Sequence, residues 1–223
     1  MIDGITIEVC IENCTRLDEL AEKKADRVEL CDNMAVGGTT VSYGVAENAI
    51  HRCHANGIKV VSMIRPRGGD FVYSNDEFEI MLKDIEILCG LGTDGIVFGC
   101  LGPSGSLDKE KNLSLIRTAK TICFGISKLD LVFHMAFDHI KKEQQLESLL
   151  WLTDNGVTRI LSHGSEKADT AIEDNYSRLK EYIAAGGIEI LPGGGVKDSN
   201  FREVCAELGV KQVHGTRLLC GNH

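Results

Sequence analysis

The sequence predicts a closed parallel (β/α)8 barrel of the TIM type. Three features of the chain lead there. Eight short strand-like runs alternate with helical patterns. The runs begin at residues 5, 27, 59, 95, 129, 159, 188 and 211, so successive starts lie 22 to 36 residues apart, the length of a strand, a helix and two short loops. Several runs also open alike, on a glycine that ends a helix with an apolar strand behind it: Asp94-Gly95-Ile96-Val97, Asn155-Gly156-Val157, Gly186-Gly187-Ile188 and Leu208-Gly209-Val210. Right-handed crossovers make such strands parallel, and closure leaves no edge. The competing architecture is an open doubly wound sheet. Its dinucleotide-binding version is disfavoured because the first turn reads Cys10-Ile11-Glu12-Asn13-Cys14 in place of GxGxxG.

In the first strand, Ile5–Ile11, the aliphatics Ile5, Ile7 and Val9 alternate with Thr6, Glu8 and Cys10. The aliphatic set is expected to face the helices and the polar set the barrel interior. Leu17, Leu20 and Ala21 have helical spacing. The second strand, Arg27–Leu30, sends Val28 and Leu30 outward and Arg27, Glu29 and Cys31 inward. In the third, Lys59–Ile64, Val61 and Met63 point inward and Arg65 continues their parity. The helix carrying Phe78, Met81, Leu82, Ile85 and Leu88 has Ser74 or Asn75 as its cap. Strands over Gly95–Leu101, Leu129–Phe137, Arg159–Ser162 and Ile188–Leu191 follow, then a helix over Ser199–Leu208 and the eighth strand, Lys211–His214. Few residues remain after it, so the last helix is expected to be short or missing. A second subunit is expected to cover the apolar flank this leaves, making the protein a homo-oligomer.

The 223 residues are 43% hydrophobic and 26% charged with only 3 Pro, and no Pro/Ser-rich linker divides them, so residues 1–223 are expected to form a single domain. A net charge of −9 argues against nucleic acid as a partner. Nine cysteines, an odd number in a chain this long, with a start (MIDGITIEVC) that lacks a basic and then apolar leader pattern, point to a reducing cytoplasm. The apolar stretches fall well short of the roughly 18 residues needed to cross a bilayer, so no membrane span is expected.

Strands one and two both end in Glu-x-Cys, Glu8/Cys10 and Glu29/Cys31. Paired in register, they would bring two thiols and two carboxylates to the C-terminal mouth, where barrel sites are built. Two thiolates suit a soft cation such as Cu(I). Buried cysteines are also ordinary small fillers of a core, and the remaining seven are read that way.

The loop after strand three, Arg65-Pro66-Arg67-Gly68-Gly69-Asp70, offers Arg65 and Arg67 for gripping an anion and Asp70 for orienting an arginine or a hydroxyl. A purely structural ion pairing is the alternative reading. His134, with Asp138 close behind it, is a candidate acid/base pair at the end of strand five. His163 and His214 also end strands and receive less weight. Gly193, Gly194 and Gly195 after strand seven can present backbone N–H groups to a phosphate or can simply make a tight turn.

The segments Glu8-Val9-Cys10, Asp26–Cys31, Gly37-Gly38-Thr39, Met63–Tyr73, Asp94–Gly99, Phe133–Asp138 and Pro192–Val196 together resemble the CutC family, named for a part in copper homeostasis. The resemblance runs through nearly the whole chain and is most specific in the PRGGDFxYS element. It implies a (β/α)8 barrel with Cys10 and Cys31 as Cu(I) ligands at the mouth. Glu8, Glu29, Asp70, His134 and Asp138 are then the groups available for proton transfer in the alternative, an enzyme acting on a small anionic or phosphorylated substrate. The chain departs from the family pattern at Val41, at Met135, where the family has an arginine, and at Ser162-His163-Gly164-Ser165, where it has Thr-Ser-Gly-Gly. Losing that arginine would impair an enzyme that used it and leave a thiolate copper site intact.

Overall fold

In the computed structural model, which describes residues 1–123, 129–167 and 169–220, the eight runs are eight parallel strands. They are β1 (Thr6–Glu12), β2 (Arg27–Cys31), β3 (Lys59–Met63), β4 (Gly95–Phe98), β5 (Asp130–Phe133), β6 (Arg159–Ser162), β7 (Glu189–Pro192) and β8 (Gln212–Gly215). The helices are α1 (Leu17–Glu22), α2 (Tyr43–Ala55), α3 (Asn75–Gly90), α4 (Lys109–Ile122), α5 (Gln145–Asp154), α6 (Tyr176–Ala185) and α7 (Phe201–Leu208). Hydrogen-bonded neighbours run β7-β6-β5-β4-β3-β2-β1-β8, which brings β7 and β8 side by side without a ladder along the strands. The barrel therefore has one open seam, and a single bridge between Lys197 and Arg217 joins its two sides beyond the strand ends.

Two strands end three or more residues sooner than their sequence suggests. β4 stops at Phe98, and β5 stops at Phe133, where the expected continuation to Phe137 becomes a 3₁₀ turn over Met135–His139. The polar tip of β5 causes the break: His134 turns its Nδ1 back to accept the Ala136 amide (3.2 Å), a cap that competes with a sheet partner. The helix expected from Ser199 begins at Phe201. Ser74 is the cap of α3, and its side chain and that of Glu77 satisfy each other's backbone amides in a capping box.

Strand alternation divides the core as anticipated. Ile7, Val9, Val28, Leu30, Val60, Ile96, Leu131, Ile160, Ile190 and Val213 pack outward against the helices. Inside the barrel, Val61, Met63, Val97, Val132, Leu161 and Leu191 form an apolar half with Cys10 and Cys31. Glu8, Arg27, Glu29, Gln212 and His214, all buried, form a charged half on β8, β1 and β2.

After β8 the described residues form no helix. Leu218 and Leu219 are buried instead, and Arg16 donates to the carbonyls of Thr216, Leu218 and Leu219 at 3.0 Å each, tying this segment to α1. Residues 221–223 lie outside the described residues. Among those described, no helix is long and apolar enough to cross a membrane.

Candidate functional site

A cavity of about 450 Å³ opens at the C-terminal mouth, lined among others by Cys10, Glu29, Met34, Met63, Arg65, His134, Gly194, Lys197, His214 and Arg217. The register that builds its floor differs from simple alignment of the two Glu-x-Cys tips. Cys10 sits opposite Glu29, and Glu12 opposite Cys31. The two thiols meet nonetheless, because the stagger of a closed barrel brings side chains from successive levels together. Cys10 Sγ lies 3.8 Å from Cys31 Sγ and 3.5 Å from Met34 Sδ. Cys31 Sγ is 3.6 Å from Glu29 Oε2.

Below the sulfurs runs a buried charge network. Glu8 accepts from Arg27 Nε through one oxygen and lies 2.7 Å from His214 Nδ1 through the other. Arg27 also donates to Gln212 (2.8 Å), and His214 Nε2 lies 3.7 Å from Glu29 Oε2. Burial alone would raise the Glu8 carboxyl, but Arg27 and His214 overcome it and hold it well below the usual carboxylate range. Burial likewise disfavours the His214 imidazolium, yet Glu29, Cys10 and Glu8 keep its pKa well above 6.5. The Cys10 thiol is pushed up by its hydrogen bond with Cys31, by burial and by Glu29. For Cys31 the bond from Cys10 works downward, but burial and Glu29 prevail and raise it to about 11. Among the described residues, two groups of side chains bring ligating atoms within 4.8 Å of one another: Cys10, Glu29 and Cys31, and Glu8, Glu29 and His214.

Other expected site residues have different work. Arg65 is buried and donates to the carbonyls of Val36 and Gly38 through Nη1 and of Gly69 through Nη2, each at 2.9 Å, with its guanidinium 4.8 Å from the centre of the Phe71 ring. Arg67 turns away from the cavity to pair with Glu77 (2.5 Å) and Asp70 (3.1 Å). For Arg67 and Asp70 the structural reading describes what is seen. His134 and Asp138 are not paired. Asp138 accepts from Ser162 Oγ (2.6 Å) and from the His163 and Gly164 amides, and burial still raises its carboxyl to about 6. His134, depressed to about 3 by burial and then by Arg65, borders the cavity. It can lie flat there because Gly99 has no side chain; a Cβ at that position would meet the imidazole at 2.6 Å.

Gly193 donates its amide to the Ser162 carbonyl and leaves room for Leu161, which a Cβ would strike at 2.5 Å, so it packs closely against β6. Gly194 and Gly195 do line the cavity. Sequence reasoning gave His214 too little weight and passed over Met34. The inward parity of Gln212 and His214 was the available signal for the first, and the short Cys31-x-x-Met34 spacing for the second.

Comparison with known proteins agrees with this architecture. The CutC family model matches residues 5–219. A CutC family protein of Enterococcus faecalis is 47% identical over 214 residues, covering 95% of this chain and 99% of that one. The human copper homeostasis protein cutC homolog is 37% identical, over 95% of this chain and 73% of its own. The crystal structure of a CutC protein from Streptococcus agalactiae superposes with a TM-score of 0.89 at 45% identity, covering 96% of this chain and 99% of that chain. With a family match spanning every strand and the thiol pair seated at the barrel mouth, the chain belongs to the CutC family.

Proposed function

We propose that this protein binds Cu(I) as cargo through Cys10 and Cys31. The observation that carries the reading is the convergence of the two thiols, 3.8 Å apart, with Cys10 lining an open cavity and Cys31 buried directly behind it. Thiolate is the ligand type that Cu(I) prefers over carboxylate, and Met34 adds a soft thioether 3.5 Å from Cys10. The surrounding charges fit the same role. Two thiolates and one Cu(I) leave a net negative charge beside the cationic His214, whose contact with Glu8 fixes its ring. The name of the human relative, a copper homeostasis protein, agrees with this reading.

Anaerobic titration against a chromogenic Cu(I) chelator tests it. Wild type is expected to take up one Cu(I), and the Cys10→Ser/Cys31→Ser variant to lose at least about 100-fold in affinity, as expected when ligands rather than their supports are removed. Equal stoichiometry and affinity in the two proteins would end the copper reading.

The working compartment proposed is the reducing cytoplasm, supported by nine free cysteines, most of them buried. Self-association is proposed on the flank beside β8, where Ile2, Phe201, Arg202, Leu219 and Cys220 line an open groove. Sedimentation velocity at micromolar concentration is expected to show a species larger than the 24.3 kDa chain; a single monomeric boundary would remove this proposal.

A further inference from the structure

The upper wall of the cavity holds groups that copper does not use. Lys197 and Arg217 are partners across the bridge that closes the β7/β8 seam, and both line the cavity. Both are exposed, and neither forms an ion pair with a described residue. Like charges on directly opposed positions repel. A chain with 33 acidic residues against 24 basic ones has ample means to neutralise such a pair, yet here it is left cationic. Beside the two cations, the amides of Gly194 and Gly195 donate to no backbone carbonyl among the described residues.

Deeper in the cavity, three buried polar atoms have no hydrogen-bond partner: Glu29 Oε1, Arg65 Nε and His134 Nε2. Their side chains are 2%, 4% and 3% exposed, and all three residues line the cavity. Buried polar atoms are normally satisfied, so each such orphan calls for a partner. The chemistry of that partner can be read off. The Ala136 amide donates to His134 Nδ1, so that nitrogen carries a lone pair. The imidazole is neutral, which leaves its proton on Nε2. Arg65 has the buried Tyr73 hydroxyl beside it, so the interior presents one N–H donor, from His134, and one carboxyl acceptor, from Glu29.

We infer that the cavity binds a small phosphorylated polyhydroxy compound, with its phosphate held between Lys197 and Arg217 at the Gly194 and Gly195 amides and its hydroxyl oxygens against His134 and Glu29. A phosphate dianion matches two cations and free amides. Hydroxyl groups, which both donate and accept, match a mixed pair of one donor and one acceptor. The cavity, at about 450 Å³, lies within the range of roughly 300 to 1,000 Å³ typical of small-ligand sites. The anion therefore sits on the β7/β8 side and not on the Arg65/Arg67 loop, where the sequence pointed. The site stands independently of the copper reading.

Thermal unfolding of chelator-treated protein tests it, with D-ribose 5-phosphate, D-ribose, gluconate and inorganic phosphate each titrated to 10 mM. Ribose 5-phosphate is expected to raise Tm by about 5 °C as it approaches 100 times its Kd, and the other three to give less than a third of that shift. The exposed double variant Lys197→Ala/Arg217→Ala is expected to keep the unliganded Tm and to lose at least tenfold in affinity for ribose 5-phosphate. His134→Phe, which keeps a ring but removes the donor, is expected to narrow the preference for ribose 5-phosphate over inorganic phosphate. The protein is metal-free in every arm of this assay, so the outcome of the copper titration leaves this result untouched. No shift with ribose 5-phosphate, an equal shift from inorganic phosphate or gluconate, or unchanged affinity in the Lys197/Arg217 variant would each overturn the assignment.

Discussion

Replacing Glu8 by Gln in metal-free protein is expected to cost about 3 to 5 kcal/mol of folding stability at pH 7, because it leaves two buried cations, Arg27 and His214, without their shared counter-charge. Urea denaturation of the chelator-treated variant against wild type measures this. The pH dependence separates charge from packing. Glu8 has its folded pKa depressed below its usual 4.5, so its contribution is present above that value and fades as pH falls through the folded one. His214 has its folded pKa raised above 6.5, so its contribution is full below pH 6.5 and is lost as pH climbs through the raised value. The gap between wild type and Glu8→Gln is therefore expected to be widest above pH 4.5, up to the pH at which His214 loses its proton, and to shrink on going to pH 3. A gap of the same size at pH 3 and pH 7 would mean that lost packing, not lost charge, explains it.

Arg65→Met is expected to destabilise the protein by about 2 to 4 kcal/mol, although the sequence presents Arg65 as an anion grip. The guanidinium holds three backbone carbonyls, of Val36, Gly38 and Gly69, and so ties the loop after β2 to the loop after β3. Removing it orphans acceptors at a partly buried site, and bonds from a charged donor are the stronger kind. Arg65→Lys is expected to recover only part of the loss, since an ammonium lacks the planar fork that spans three carbonyls. Denaturant midpoints of the two variants check both statements. A stability loss below about 0.5 kcal/mol in Arg65→Met would show that the clamp is not what holds these loops.

The two cases mark where reading along the chain succeeds and where it stops. The alternation in Thr6-Ile7-Glu8-Val9-Cys10 correctly places Glu8 and Cys10 inside, since a strand's side-chain period is two whatever the strand packs against. The same rule, applied without its neighbour, mistakes the register. It aligns Cys10 with Cys31, whereas closure of the barrel sets Cys10 opposite Glu29. Arg67 shows a second limit. Its partners in space, Asp70 and Glu77, both follow it closely in sequence, so the bland local reading holds there. For Arg65 the partners are carbonyls of another loop, and a carbonyl leaves no mark in the sequence. His134 and Asp138, four apart, look like a pair by their nearness in sequence; the 3₁₀ turn after Phe133 gives them separate partners.

Strand number, parallel order, the face each strand presents and the family are all legible along the chain, because periodicity, turn glycines and contiguous motifs are local properties. Folding adds the rest: His214 and Glu8, 206 residues apart, share a hydrogen bond, Met34 joins the thiols, and Lys197 and Arg217 stand together at the seam. Those contacts depend on how far neighbouring strands slide past one another as the barrel closes, which is a property of the whole sheet and is set at no single residue.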